Sequence, residues 1–181
     1  MSMVRPILLI AGAIPVILAI LIAIPMITKP DIPFSAVVPT DQIELEYTKH
    51  QLQKISFGVT EETQSQKTEI LVIKDDGTVR YSVIDKGNPK PDQRSTIEEE
   101  KVRKLTALIK ETGFMAIPSE SFEIGEDIDA YKKSSLKVTL NGQTKQIHWP
   151  EQNATSKFIP PIITMVELEL DQIISDIQNN N

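Results

Sequence analysis

Histidines, clustered carboxylates and one serine–lysine spacing are the places where this chain could carry chemistry. Its two histidines, His50 and His148, are of the type that serves as a general base near neutral pH or as a zinc ligand. Each lies in a strand-like stretch with no carboxylate or second histidine at ligand spacing, so a shared metal requires their two strands to adjoin. Otherwise each is an ordinary half-buried polar residue. Glu120, Glu123, Glu126, Asp127 and Asp129 bring hard oxygen donors together, as a Ca²⁺ loop needs. Gly125, however, precedes most of these carboxylates, which is not EF-hand spacing, and a solvated acidic loop is the simpler reading. Ser134 and Lys137 stand in the S-x-x-K arrangement of serine enzymes whose lysine activates the serine from the next helical turn. Here the surrounding pattern is that of a strand, on which residues three apart point to opposite faces, so the lysine cannot serve the serine. No G-x-S-x-G, phosphate-cradling glycine loop or H-E-x-x-H follows. With zero cysteines, thiol catalysis and thiolate metal sites are excluded. Trp149, the single tryptophan, stands beside His148 and reads first as a core anchor at a strand end. No residue receives a catalytic, cofactor-binding or metal-binding role, and no cofactor is expected.

The elements that would hold these residues are marked by turn and capping chemistry. Ile43, Leu45 and Tyr47, then Ile55, Phe57 and Val59, alternate with polar residues and predict two strands. Residues 69–74 and 78–84 flank Asp75, Asp76 and Gly77, a hairpin turn in which aspartate and glycine accept positive φ. Residues 85–93, with Gly87, Pro89 and Pro91, read as loop. Ser95 and Thr96 ahead of acidic Glu98, Glu99 and Glu100 predict a capped helix start. Its apolar face is Ile97, Val102, Leu105, Leu108 and Ile109, and Gly113 is its left-handed stop, with Phe114 folding back onto the last turn. After an irregular stretch over 116–133, Asn141-Gly142 joins two strands, 134–140 and 143–149, into a second hairpin. Pro160 and Pro161 open a last helix, whose stripe of Ile159, Ile162, Ile163, Val166, Leu170, Ile173, Ile174 and Ile177 is broad enough to cover a sheet face. The expected class is α+β: two hairpin-plus-helix units forming an antiparallel sheet, with both helices on one face.

Ahead of this domain, residues 7–27 are apolar and uncharged between Arg5 and Lys29. As a helix they would measure ~31 Å, about the thickness of a hydrocarbon core. Pro15 would bend such a span. The run exceeds the usual signal-peptide core and lacks a small-x-small site after it, so an uncleaved anchor over 1–28 is expected. Arg5 places the N-terminus in the cytoplasm by the positive-inside rule and the rest of the chain outside. Residues 29–42, with Pro30, Pro33 and Pro39, read as a stiff spacer. In extended form, at about 3.1 Å per residue, the part from Lys29 to Thr40 reaches ~37 Å. Residues 43–181 are then one extracytoplasmic domain. Beyond Lys29 the chain carries 17 basic and 25 acidic residues, a balance that repels nucleic acid and anionic headgroups. An aromatic content of 5% leaves few platforms for stacking bases or sugars.

The Asp76-Gly77-Thr78-Val79-Arg80-Tyr81 hairpin, the helix ending in Gly113-Phe114, the following Ile117-Pro118, the Asn141-Gly142 hairpin and the proline-led last helix together resemble an uncharacterised family of exported or membrane-anchored prokaryotic α+β domains, over roughly residues 50–177. The resemblance implies that fold and surroundings and carries over no functional residue. Members of that family often have cysteines before the first hairpin, where this chain has none.

The expectation from sequence is therefore a single-pass, membrane-anchored extracytoplasmic domain that binds another protein, as an accessory subunit of a membrane assembly, and is not an enzyme. The alternatives are a small-ligand module using the concave sheet face, a metal-binding module, and a hydrolase built on His148 and the acidic loop.

Overall fold

The computed structural model describes residues 37–58, 60–119 and 122–179. Apolar and polar side chains alternate from Ile43, and the chain stays extended through the polar stretch that follows, giving one strand, β1 (Ile43–Phe57), where two were expected. Pairing on both sides is the reason: β2 (Thr60–Ile73) and β6 (Ala130–Leu140) take up the backbone groups of 48–53, whatever the side chains. A bulge between Gln51 and Leu52 absorbs the change of phase. β3 (Thr78–Asp85), the two-residue β4 (Asn88–Pro89), β5 (Gln93–Thr96) and β7 (Gln143–Pro150) complete a seven-stranded sheet of order β4-β3-β2-β1-β6-β7, with β5 also on β3. Every pairing is antiparallel.

This corrects the expected plan of a transmembrane helix followed by two hairpin-plus-helix units. The described domain is one continuous, strand-dominated sheet in which β1 is shared by both halves. Among the described residues no helix is long and apolar enough to cross a membrane, and the run 7–27 lies outside them. Turn chemistry did locate the hairpins. Gly77 has φ +78° and Asn141 and Gly142 have φ +51° and +81°, and the Asp76 carboxylate accepts the Thr78 N–H at 2.8 Å. Lys86 and Gly87, also at positive φ, make a third tight turn inside the stretch read as loop.

One sheet face is a stack of rows. Val79, Ile73, Leu45 and Val138 form one; Tyr81, Leu71, Tyr47, Leu136 and Ile147 form the next; all are buried. The third row turns polar, with Glu69, Lys49 and Ser134 before Trp149. Helix α1 (Glu99–Glu111) buries Val102, Leu105, Leu108 and Ile109 and stops at Gly113, φ +69°, with Phe114 fully buried behind it. Its expected cap did not form. Ser95 and Thr96 belong to β5, paired with Val79 and Thr78, and the helix starts after Glu98 without a side-chain cap. Sheet pairing of a whole segment satisfies more backbone groups than one hydroxyl at a helix end.

Helix α2 (Pro161–Asn179) buries Ile163, Val166, Leu170, Ile173, Ile174 and Ile177. Lys101–Asp176 (2.9 Å) and Lys104–Glu169 (3.6 Å) join α1 to α2. Just ahead of β1, the carboxylate of Asp41, only 6% exposed, accepts Asn141 Nδ2, the Val38 N–H and Lys110 Nζ at 2.7–2.8 Å. That knot joins the segment leading into β1 to the β6–β7 turn and the end of α1.

Candidate interaction surface

The residues first singled out for chemistry do not converge. His50 and His148 lie on the same uncovered sheet face, but β6 runs between their strands: His50 sits opposite Lys133, and His148 opposite Ser135. Two strand spacings are roughly 9–10 Å, far beyond what one ion with bonds of about 2 Å can bridge. His50 Nδ1 lies 3.0 Å from Thr68 Oγ1. Partial burial first, then the charge of Lys133, holds both imidazoles below the ordinary histidine value, and His148 adds to the effect at His50. A cation between them is the reverse of the carboxylate that would orient a catalytic histidine.

Glu123, Glu126, Asp127 and Asp129 are exposed; Glu120 lies outside the described residues. What that loop offers its neighbours is backbone: the carbonyl of Asp129 accepts the Lys54 N–H at 2.7 Å, and that of Glu126 accepts Lys54 Nζ at 2.9 Å. Among the described residues no group of three histidines or carboxylates could hold a metal. Ser134 faces inward and Lys137 outward toward Glu46 (3.8 Å), as strand geometry requires. Trp149 is 2% exposed and stacks on Tyr47, with ring centroids 6.4 Å apart.

Sequence reasoning missed a polar seam under α2. Glu167 Oε1 accepts Ser134 Oγ at 2.9 Å and the Tyr47 hydroxyl at 3.1 Å, while Oε2 accepts Trp149 Nε1 at 3.0 Å. One turn on, Asp171 takes Lys49 Nζ at 2.8 Å and the Tyr47 hydroxyl at 3.2 Å. Farther along, Gln178 donates to the Tyr81 hydroxyl at 2.8 Å, and that hydroxyl donates to Glu69. Burial, then the charges of Glu167 and Asp171, pushes Tyr47 far above the ordinary phenol range, so it is a fixed donor and not a usable base. The seam consumes its own donors and acceptors. Its signal in the sequence was the i, i+4 pair of Glu167 and Asp171 flanking an isoleucine stripe.

That arrangement leaves the outward face of α2 unusual. Helical spacing puts Pro161, Thr164, Met165, Leu168, Gln172, Ser175 and Asn179 on it, all exposed and none charged. Leu168 is 71% exposed, Met165 42%, and Phe158, just ahead of the helix, 74%. The helix has four carboxylates, and each is held by a partner: Glu167 and Asp171 in the seam, Glu169 by Lys104, and Asp176 by Lys101 and by Gln172 of the outward face at 2.8 Å. A solvent-facing helix stripe with large apolar side chains and no charge is a candidate contact surface. No family model and no curated protein matches the chain.

Proposed function

We propose that this protein is a non-enzymatic protein-binding domain, held at the outer side of a membrane by its apolar stretch 7–27, and that the outward face of α2 with Phe158 is its contact surface. The observation that carries this reading is the exposed Met165 and Leu168 on a face whose bordering carboxylates are each held by a partner of this chain, with Phe158 exposed just ahead of the helix. Burying a fully exposed leucine or phenylalanine is worth roughly 1.5–3 kcal/mol each. The tether is supported by the charge-free run between Arg5 and Lys29.

The test is Leu168→Glu in the full-length protein, isolated in mild detergent. Stoichiometric copurification of a partner with the wild type, and its loss from the variant while Trp149 fluorescence is unchanged, is the expected result. Equal recovery with both proteins rejects the surface, and recovery of wild type in the detergent-free soluble fraction rejects the tether.

A second reading has its own observation. A cleft of about 350 Å³ is lined by Phe122, Ile124, Lys133, His148 and Trp149, among others, and would suit a small, largely apolar ligand. A ligand-induced rise in Tm that His148→Ala and Ile124→Glu abolish would favour it.

A further inference from the structure

We infer that β7 is an open sheet edge that takes up an acidic, extended peptide segment of a partner protein as a further strand, with an apolar side chain of that segment seated in the cleft beside His148. This contact is separate from the α2 face and shares its cleft with the small-ligand reading above.

Backbone geometry argues first. β7 pairs only with β6 and ends the sheet. The Glu151 N–H donates to the Lys132 carbonyl at 2.9 Å. By the alternation of a strand, the odd-numbered residues of β7 therefore turn their N–H and C=O groups to β6, and Thr144, Gln146 and His148 turn theirs outward. Pro150, which has no N–H to give, stands in the outward set, as an edge strand requires. Among the described residues nothing bonds to the outward groups of Thr144, Gln146 and His148. Donor and acceptor pairs repeating at every second residue, about 6.8 Å apart, match the backbone of another strand. The opposite edge offers no such run, since β4 has two residues and β5 four.

The cleft argues second. It measures about 350 Å³ and is lined by the consecutive residues 146–150 together with Phe122, Ile124 and Lys133. Successive side chains of a strand point to opposite faces. A space that touches five of them in a row therefore lies along the edge itself, where an added strand runs. The apolar side chains of Phe122 and Ile124 across from it suit an apolar side chain of that strand.

Charge argues third and selects the partner. The half-buried lysines Lys49, Lys67, Lys101 and Lys110 each hold a carboxylate, and Lys54 holds the Glu126 carbonyl. Lys133 and Lys145, also half-buried, have no such partner among the described residues. They stand on either face of the free edge, Lys133 on the outer face opposite His50 and Lys145 on the inner face opposite Val138. Two unanswered cations in a chain of net charge −6 favour carboxylates brought from outside. They also disfavour a second copy, because two β7 edges paired about Gln146 would set Lys145 of both copies side by side on one face. The chain's own segment ahead of β1 carries Pro30 and Pro33, which lack the N–H a ladder needs.

The probe is a capped heptapeptide alternating glutamate with valine, titrated calorimetrically against the full-length protein in mild detergent. It is expected to bind with a Kd below about 1 mM. Its fully N-methylated form, which keeps the side chains and loses every backbone donor, is expected to bind at least about tenfold more weakly, and a lysine–valine peptide not at all. Gln146→Pro, which deletes an outward N–H and leaves the β6 ladder intact, and the Lys133→Gln, Lys145→Gln double variant are each expected to weaken the glutamate–valine peptide at least about tenfold. Trp149 emission verifies their fold, and the N-methylated peptide tests the same point without any variant. No binding of the glutamate–valine peptide at about 1 mM overturns the inference, and so does equal binding by the N-methylated or the lysine–valine peptide. Leu168→Glu is expected to bind the peptide as wild type does, so loss of a copurifying partner from that variant and loss of peptide binding at β7 are read separately.

Discussion

Removing the Glu167 carboxylate tests whether the seam under α2 is structural. In Glu167→Ala, Trp149 Nε1 and Ser134 Oγ lose the acceptor that holds them at 3.0 and 2.9 Å, and both residues are at most 5% exposed. Tyr47 keeps Asp171 at 3.2 Å. A buried donor left without a partner costs about 1–3 kcal/mol. Two such donors therefore cost about 2–6 kcal/mol. Glu167 is itself only partly buried, so water reaches some of the gap, and alanine recovers a few tenths of a kcal/mol in helix propensity. The expected loss is about 3 kcal/mol, which for a domain of this size lowers Tm by roughly 10 °C. Glu167→Gln is expected to cost about half as much: its carbonyl can still accept Ser134 and Tyr47, but its NH₂ then faces the Trp149 N–H, donor against donor. Thermal unfolding followed by fluorescence of the single tryptophan measures both, since Trp149 reports the seam itself. An alanine variant within about 0.5 kcal/mol of wild type, with unchanged emission, would refute the reasoning.

Three further outcomes follow from the same structure. Gly77→Ala is expected to destabilise by about 2–4 kcal/mol in denaturant titration, because a Cβ there would lie 2.5 Å from the Ile97 carbonyl oxygen at φ +78°; Gly142→Ala, in open space, pays only its φ penalty of about 1 kcal/mol. Asp41 falls from 3.8 to about 2 through its hydrogen bonds from Asn141 and Lys110. Its contribution to stability is therefore present above pH 3.8 and lost as pH falls toward 2, and Asp41→Asn should flatten the acid limb of a Tm-versus-pH curve. His50 and His148 are both lowered, so the folded state resists their protonation. Stability should decline as pH falls below their ordinary value of 6.5, and a His50→Gln, His148→Gln double variant should lose that slope in the same titration.

Much of the fold was legible because it is local. Asp76-Gly77 and Asn141-Gly142 announce turns through the φ angles their own backbones accept, Gly113 stops α1 for the same reason, and the isoleucines of α2 record one buried face at helical spacing. Ser95 and Thr96 mark the limit of that logic. Their side chains suit a helix cap, yet β3 lies beside them, and a strand's worth of backbone hydrogen bonds outweighs one cap. The break in alternation over 48–53 likewise hid that β1 is one strand and not two, since its extension there comes from β2 and β6 on either side.

Sequence by itself determined the hairpin turns, the helix stop, the apolar stripe of α2, the charge-free stretch 7–27 and the acidic balance, since each depends on residues close along the chain or on composition alone. Only the tertiary structure decided that β6 separates His50 from His148, that Glu167 gathers Tyr47, Ser134 and Trp149, and that each carboxylate of α2 finds a partner beside the face that exposes Leu168. Those outcomes join residues up to 124 positions apart, and which side chains meet over such distances is set by strand order and helix placement, which local spacing does not encode.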